Sequence, residues 1–166
     1  MTGKKAILSA TFKKGDKENS GNYKPISLTS QDCTVFDSMI RYSIVDHLNE
    51  NKLIHDSQHG FMKNRSCLTN LLQFVETVTD YIDKGYPVDV IYLDFQNAFD
   101  KVPHRRLMHK LRAHGIGGKV WNWIRDWRSG REQIVVLLSS TSTWSPVKIG
   151  IPQCSVLGPI LFLIYI

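Results

Sequence analysis

The chain has 166 residues, enough for one domain or one piece of a larger one, and its 42% hydrophobic content excludes a disordered tract. Its formal charge is +6, and its three cysteines (Cys33, Cys67, Cys154) are scattered with no Cys-x-x-Cys pair, which excludes a disulfide framework and a zinc ribbon and favours a reducing, intracellular compartment, cytoplasm or nucleus. Met1-Thr-Gly-Lys-Lys5 has no apolar h-region behind it, so neither a signal peptide nor a membrane partner is expected.

In chain order, residues 1–32 read as irregular and polar, with Lys13-Lys-Gly-Asp-Lys17 as a turn and Asn22-Tyr-Lys-Pro-Ile-Ser-Leu28 as an extended piece. Phe36, Met39, Ile40, Ile44 and Leu48 recur at helical spacing. A second helix is predicted from Leu68, Leu71, Leu72, Val75 and Val78, with Ser66 as N-cap and Gly85 as its stop. Val88 to Phe95, rich in β-branched and aromatic residues, predicts a strand. Pro103 stands where it opens a helix carrying Leu107, Met108 and Leu111. Gly115 to Gly118 interrupts, and Val120, Trp121, Ile124 and Trp127 make another apolar face. Glu132 to Leu138 and Ser142 to Ile149 read as a strand pair, and residues 152–155 as a turn into a last, apolar helix. Helices with a few non-local strands make an α+β fold.

In that last stretch, Val156 to Ile166, nine of eleven residues are large and apolar. Full burial of each is worth roughly 1.5–3 kcal/mol, so exposure is costly. Eleven residues are too few for a bilayer, which needs about 20. The stretch reads as a core helix whose continuation is missing.

Charge is uneven. Lys101 to Arg131 holds nine Lys/Arg against a single acid, Asp126. Such a block is either a polyanion-binding surface, with nucleic acid the usual ligand, or a solvated helix face. The histidines offer no metal set: His104, His109 and His114 scatter round a helix, and His55 with His59 lies in a loop and lacks the Glu of a metalloprotease pair.

Asp94 closes an apolar strand, where an uncompensated carboxylate is expensive. Two readings stand. It may cap the strand's solvent end, or it may ligate Mg²⁺, a hard ion that takes carboxylate and phosphate oxygens. Phe99, five residues on, suits a wall beside a bound sugar or a place in the core.

Tyr92-Leu-Asp-Phe-Gln-Asn-Ala-Phe-Asp-Lys-Val-Pro-His104 resembles the first catalytic motif of reverse transcriptases from non-LTR retrotransposons. Asn22-Tyr-Lys-Pro-Ile-Ser-Leu28, Gln58-His-Gly-Phe61 with Asn64-Arg-Ser66, and Gly150-Ile-Pro-Gln153 with Ser155-Val-Leu-Gly-Pro159 resemble three further motifs of that family in the same order. The resemblance runs from about Phe12 to Ile166. It implies the fingers and an incomplete palm of a right-hand polymerase, with the thumb missing: about 1–87 fingers-like, about 88–166 partial palm. It implies Mg²⁺ held by Asp94, the backbone at Phe95 beside the incoming dNTP, and Phe99 as a gate against a ribose 2′-OH. Lys24 and Arg65 would face triphosphate or template, and Gln153 would support the nascent pair; RNA template and DNA primer would be the partners. Asp100 would be a structural, helix-entry cap, and Trp121, Trp123 and Trp127 would pack, not stack on bases.

The departures from the family pattern are Met62 for an arginine, Cys154 for a glycine, Asn97 for a lysine and Lys24 for an arginine. A Tyr/Phe-x-Asp-Asp segment, the family's second source of metal-binding carboxylate, does not occur in these 166 residues. The expectation is therefore a truncated reverse transcriptase, inactive in primer extension as this polypeptide. The alternative is a non-catalytic, basic nucleic-acid-binding fragment.

Overall fold

A computed structural model describes residues 4–28, 31–138, 140–152 and 155–166. Two compact units divide them: residues up to His47 together with Asn97–Ile166, and Leu48–Gln96.

The larger unit is built on a sheet that the polar opening conceals. β1, Lys5–Phe12, is a true strand, where an irregular segment was expected. Its inward positions Ala6, Leu8 and Ala10 alternate with exposed Lys5, Ile7 and Ser9, the period of a half-buried strand. After a 3-10 turn at Ser20–Asn22, β2 (Tyr23–Leu28) returns antiparallel to β1, with Phe12 opposite Tyr23 and Ile7 opposite Leu28. β3, Glu132–Leu137, lies parallel to β1 on its other side, Lys5 opposite Glu132 and Ser9 opposite Val136. The expected return strand is two short pieces against β3, β4 (Ser140–Thr141) and β5 (Ser145–Pro146). The sheet is mixed, and β1–β3 joins residues more than a hundred positions apart.

Helix α1, Gln31–Glu50, supplies Ile44 and Val45 to the core. Helix α3, His104–Ala113, buries Leu107, Met108 and Leu111, its three predicted apolar residues. Its end is tied by Gly115 N–H to Arg112 O and Ile116 N–H to Leu111 O, with Ile116 buried beneath the turn. Helix α4, Gly118–Arg128, inserts Ile124. Trp123 packs between Phe36 (5.2 Å) and Trp127 (5.8 Å, stacked), so these two tryptophans pack against neighbouring rings.

The terminal apolar stretch forms a core helix, as its composition predicts. Helix α5, Gly158–Tyr165, finds its partner within the chain, against α3. Leu157, Ile160 and Leu161 are fully buried and Ile164 nearly so. These side chains alone account for roughly 1.5–3 kcal/mol each. Ser155 prepares the helix: its hydroxyl donates to Pro152 O (2.8 Å) and accepts from Gly158 N–H (3.0 Å).

In the smaller unit, helix α2 (Cys67–Asp83) begins at the predicted Ser66 cap. Ser66 Oγ accepts from Thr69 N–H and Thr69 Oγ1 accepts from Ser66 N–H, a reciprocal box. Gly85, at φ +78°, ends the helix as predicted; a Cβ there would be strained, and its N–H bonds Ile82 O while Tyr86 N–H bonds Tyr81 O. Buried His59 braces the preceding loop, bonding Thr69 Oγ1 through Nδ1 (2.8 Å) and donating from Nε2 to Gln73 Oε1 (2.5 Å).

The strand expected over Val88–Phe95 is not formed. Ile91, Tyr92 and Leu93 are each more than 80% exposed, with Tyr92 touching Phe74 at 6.2 Å between ring centroids. The side chains favour a strand, but a strand needs a second backbone for its N–H and C=O groups. None pairs with this segment among the described residues.

One buried acid marks a conditional stability. Asp37, on α1, is 5% exposed, and its Oδ1 has no hydrogen-bond partner among the described residues. Burial pushes its pKa from 3.8 up to about 6, with the Arg131 charge opposing the rise. The folded chain therefore holds this proton where the unfolded chain has lost it. Stability falls as pH rises from about 4 to 6 and stays lower above. Asp37→Asn is expected to stabilise the chain by roughly 2–3 kcal/mol at pH 8 and by little at pH 4, read from urea unfolding at the two pH values.

Candidate active site

The expected site residues fall in both units. Asp94, Phe95 and Arg65 belong to the smaller one; Lys24 and Phe99 to the larger; Gln153 and Cys154 lie outside the described residues.

In the larger unit, backbone hydrogen bonds bring together two motifs about fifty residues apart. Ile151 N–H donates to Phe99 O (2.8 Å), and Gly150 N–H donates to Val102 O (2.9 Å). His104 Nε2–H closes the joint on Gly150 O at 2.8 Å, a carbonyl being able only to accept. Burial and the charges of Arg128 and Arg131 hold that imidazole below its usual pKa, with the Gly150 bond opposing them. Gly150 sits at φ +90°; a Cβ on it would lie 3.0 Å from Asp100 O and 3.2 Å from Phe99 O. Only glycine fits so close to another backbone in that conformation. Val102 is wholly buried beneath the joint. Beside it opens a cavity of about 390 Å³ whose lining includes Ser27, Asp100, Arg131 and Lys148.

Phe99 is half-buried, its ring 5.1 Å from that of Phe162 on α5. Core packing is thus part of its role. Asn97 replaces the family's lysine in a turn where its φ is +53°, a conformation asparagine tolerates better than most residues. Asp100 N–H and Lys101 N–H both donate to Asn97 O, completing that turn. Asp100 is not the cap of the next helix, a correction: α3 starts at His104 with Pro103 as its N-cap. The capping position lies three residues beyond Asp100.

In the smaller unit Asp94 is exposed, in the unpaired segment. Arg65 fastens its own loop, its Nη1 donating to Asp56 O and to Gln58 O (2.9 Å). Lys24 is exposed on β2 opposite Thr11. Phe95 is exposed beside Asp94. A hard divalent ion needs several oxygen ligands. Among the described residues no group of three or more His, Cys, Asp or Glu is placed to hold a metal. No described helix is long and apolar enough to cross a membrane.

A family model described as reverse transcriptase (RNA-dependent DNA polymerase) matches residues 12–166, nearly the whole chain. The chain belongs to the reverse transcriptase family. Among its relatives are proteins of non-LTR retrotransposons. It is 30% identical over 163 residues to a probable RNA-directed DNA polymerase from transposon X-element of Drosophila melanogaster, covering 98% of the chain and 18% of the relative. It is 26% identical over 163 residues, at the same coverage of each, to the corresponding protein of transposon BS from that species. The Pol polyprotein of type-1 retrotransposable element R2 from Popillia japonica is 24% identical over 151 residues, covering 90% of the chain and 21% of the relative. The chain thus spans about a fifth of the length of these relatives. Reverse transcriptases generally use divalent metal ions.

Sequence reasoning missed His104 as the side chain that locks the two motifs. Its neighbour Pro103 drew attention as a helix opener, while a histidine bonding a distant carbonyl has no local sequence signal. Gly150 was part of a motif, and its positive φ is the kind of demand that a glycine in a fixed motif advertises.

Proposed function

We propose that the chain is the fingers and part of the palm of a retrotransposon polymerase that copies RNA into DNA, residues 1–87 contributing the fingers and 88–166 the palm. The observation that carries this reading is the joint at Phe99, Val102, His104 and Gly150, which fastens two of the four family-like motifs to one another. A template-copying site needs such elements fixed to a fraction of an ångström, because positioning and electrostatics supply most of phosphoryl-transfer catalysis. In this reading Asp94 is a catalytic carboxylate and the backbone at Phe95 lies beside the dNTP. Phe99 excludes the 2′-OH, with Phe162 holding its ring. Gln153 supports the nascent pair, and Lys24 attracts template phosphates. Arg65 reaches triphosphate only by exchanging the carbonyls of Asp56 and Gln58 for it. RNA template, DNA primer and dNTPs are the partners.

The test is primer extension on an RNA template, with Mg²⁺ and dNTPs, by two proteins: the 166-residue chain and the product of the full reading frame that encodes it. The chain alone is expected to give no extension above background, since a Tyr/Phe-x-Asp-Asp segment does not occur in its 166 residues. The full product is expected to extend the primer. Extension by the chain alone sinks the inactive-fragment reading. RNA binding without extension by the full product leaves a binding protein in place of a polymerase.

A further inference from the structure

One peptide plane in the larger unit is held at both ends. The amide joining Gly150 to Ile151 gives its N–H to Phe99 O (2.8 Å), and its C=O accepts from His104 Nε2–H (2.8 Å). A peptide is rigid and planar, so turning it carries both groups together. Gly150, at φ +90° and without a Cβ, offers that turn little resistance of its own. Its own N–H bond to Val102 O (2.9 Å) fixes where the residue sits, not how the following plane is turned. The turn is left to the two end bonds, and His104 makes the one that comes from a side chain.

The other end bond holds the backbone of Phe99. The Phe99 ring lies 5.1 Å from that of Phe162 on α5, and α5 packs against α3, the helix that His104 opens. Ring and backbone of Phe99 are thus fastened to the same pair of helices, the ring through Phe162 and the backbone through the plane that His104 steadies. A wall that rejects a substrate by shape discriminates only while it stays in place. Burial, with the charges of Arg128 and Arg131, favours an uncharged imidazole, which carries a single N–H, and the Gly150 carbonyl requires that it be on Nε2.

We propose that His104 is a positioning residue for sugar selection: by orienting the Gly150–Ile151 peptide it keeps Phe99 where the ribose 2′-OH of an incoming nucleotide meets its ring. This role rests on the reading of the chain as part of a polymerase with Phe99 as its sugar gate, and extends that reading to a side chain that acts through Phe99. The two backbone bonds of the joint survive the loss of His104, so what is forfeited is the steadiness of the wall and not the fold.

Two substitutions of nearly equal size separate position from packing. Glutamine carries an amide N–H₂ about where Nε2 stands, whereas asparagine carries it about where Nδ1 stands, short of the Gly150 carbonyl. His104→Asn and His104→Gln are made in the product of the full reading frame, and insertion of dATP and of ATP opposite a template uracil is measured for each. His104→Asn is expected to lower the ratio of kcat/KM for dATP over ATP by about tenfold and to raise ATP insertion outright. A misplacement of about 1 Å can cost roughly 10²-fold, and the remaining backbone bonds keep the loss below that. His104→Gln is expected to keep the parent ratio. Equal ratios in all three proteins overturn the proposal, and so does a glutamine variant that behaves as the asparagine one. A fall in dATP and ATP insertion by the same factor makes His104 a merely structural residue and also overturns it. Extension by the parent with unchanged selectivity in the variants removes this role alone; a parent that does not extend removes the polymerase reading and this role with it. The unaltered 166-residue chain guards against misfolded variants: histidine nitrogen NMR at pH 7 should find the His104 proton on Nε2, and an Nδ1-protonated ring refutes the bond.

Discussion

Asp94→Ala, made in the product of the full reading frame, is expected to lower RNA-templated primer extension by about 10³-fold while leaving RNA binding and the thermal melt unchanged. The size follows from the role proposed: removing one preorganised electrostatic group from a reacting centre costs on the order of 10²–10³, and a carboxylate that also ligates the catalytic metal lies at or beyond that end. The selectivity follows from the structure. Asp94 is exposed in a segment with no strand partner among the described residues, so its truncation removes little buried contact. Surface changes of that kind are usually worth within about 0.5 kcal/mol of stability. A loss of activity in a protein that folds and binds as before then reports chemistry, not collapse. Asp89→Ala, at an exposed acid five residues earlier in the same segment, is the control and should retain activity. Equal losses from both substitutions, or full activity in Asp94→Ala, would remove Asp94 from the reaction.

The helices were legible because their signals are local. Ser66, Gly85, Pro103 and the spacing of Leu107, Met108 and Leu111 each act within a turn or two, and the structure keeps every one. The sheet was harder. β1 hides because its inward face is Ala6, Leu8 and Ala10, with the small alanines carrying little hydrophobic contrast against Ile7 outside. Val88 to Phe95 misleads in the opposite direction: its composition is that of a strand, and composition says nothing about whether a second backbone is there to bond it. Apolar content likewise showed that α5 must be buried without showing against what. Its partner, α3, lies some fifty residues upstream, and that pairing is a property of the packed chain.

The joint between the two motifs is where sequence and geometry meet, and Gly150→Val tests it. The variant is expected to destabilise the larger unit by about 4 kcal/mol or more, seen as a lower urea midpoint at unchanged slope. Three costs add. A β-branched residue at φ +90° is strained by about 1–2 kcal/mol. Its Cβ would begin 3.0 Å from Asp100 O, a backbone atom that cannot swing aside as a side-chain tip can. Moving it away stretches the bonds from Gly150 N–H to Val102 O and from Ile151 N–H to Phe99 O, each worth about 1 kcal/mol net and more if left buried and unmade. Gly117→Ala is the contrast: that glycine has an ordinary φ and nothing within 4 Å of a Cβ, so its replacement should be nearly neutral. If Gly150→Val unfolds within 1 kcal/mol of the parent, the close approach is not what holds Phe99 beside α5, and the argument from a fixed gate loses its support. If it destabilises as expected, the glycine of this motif is accounted for by backbone contact alone, before any nucleotide is bound.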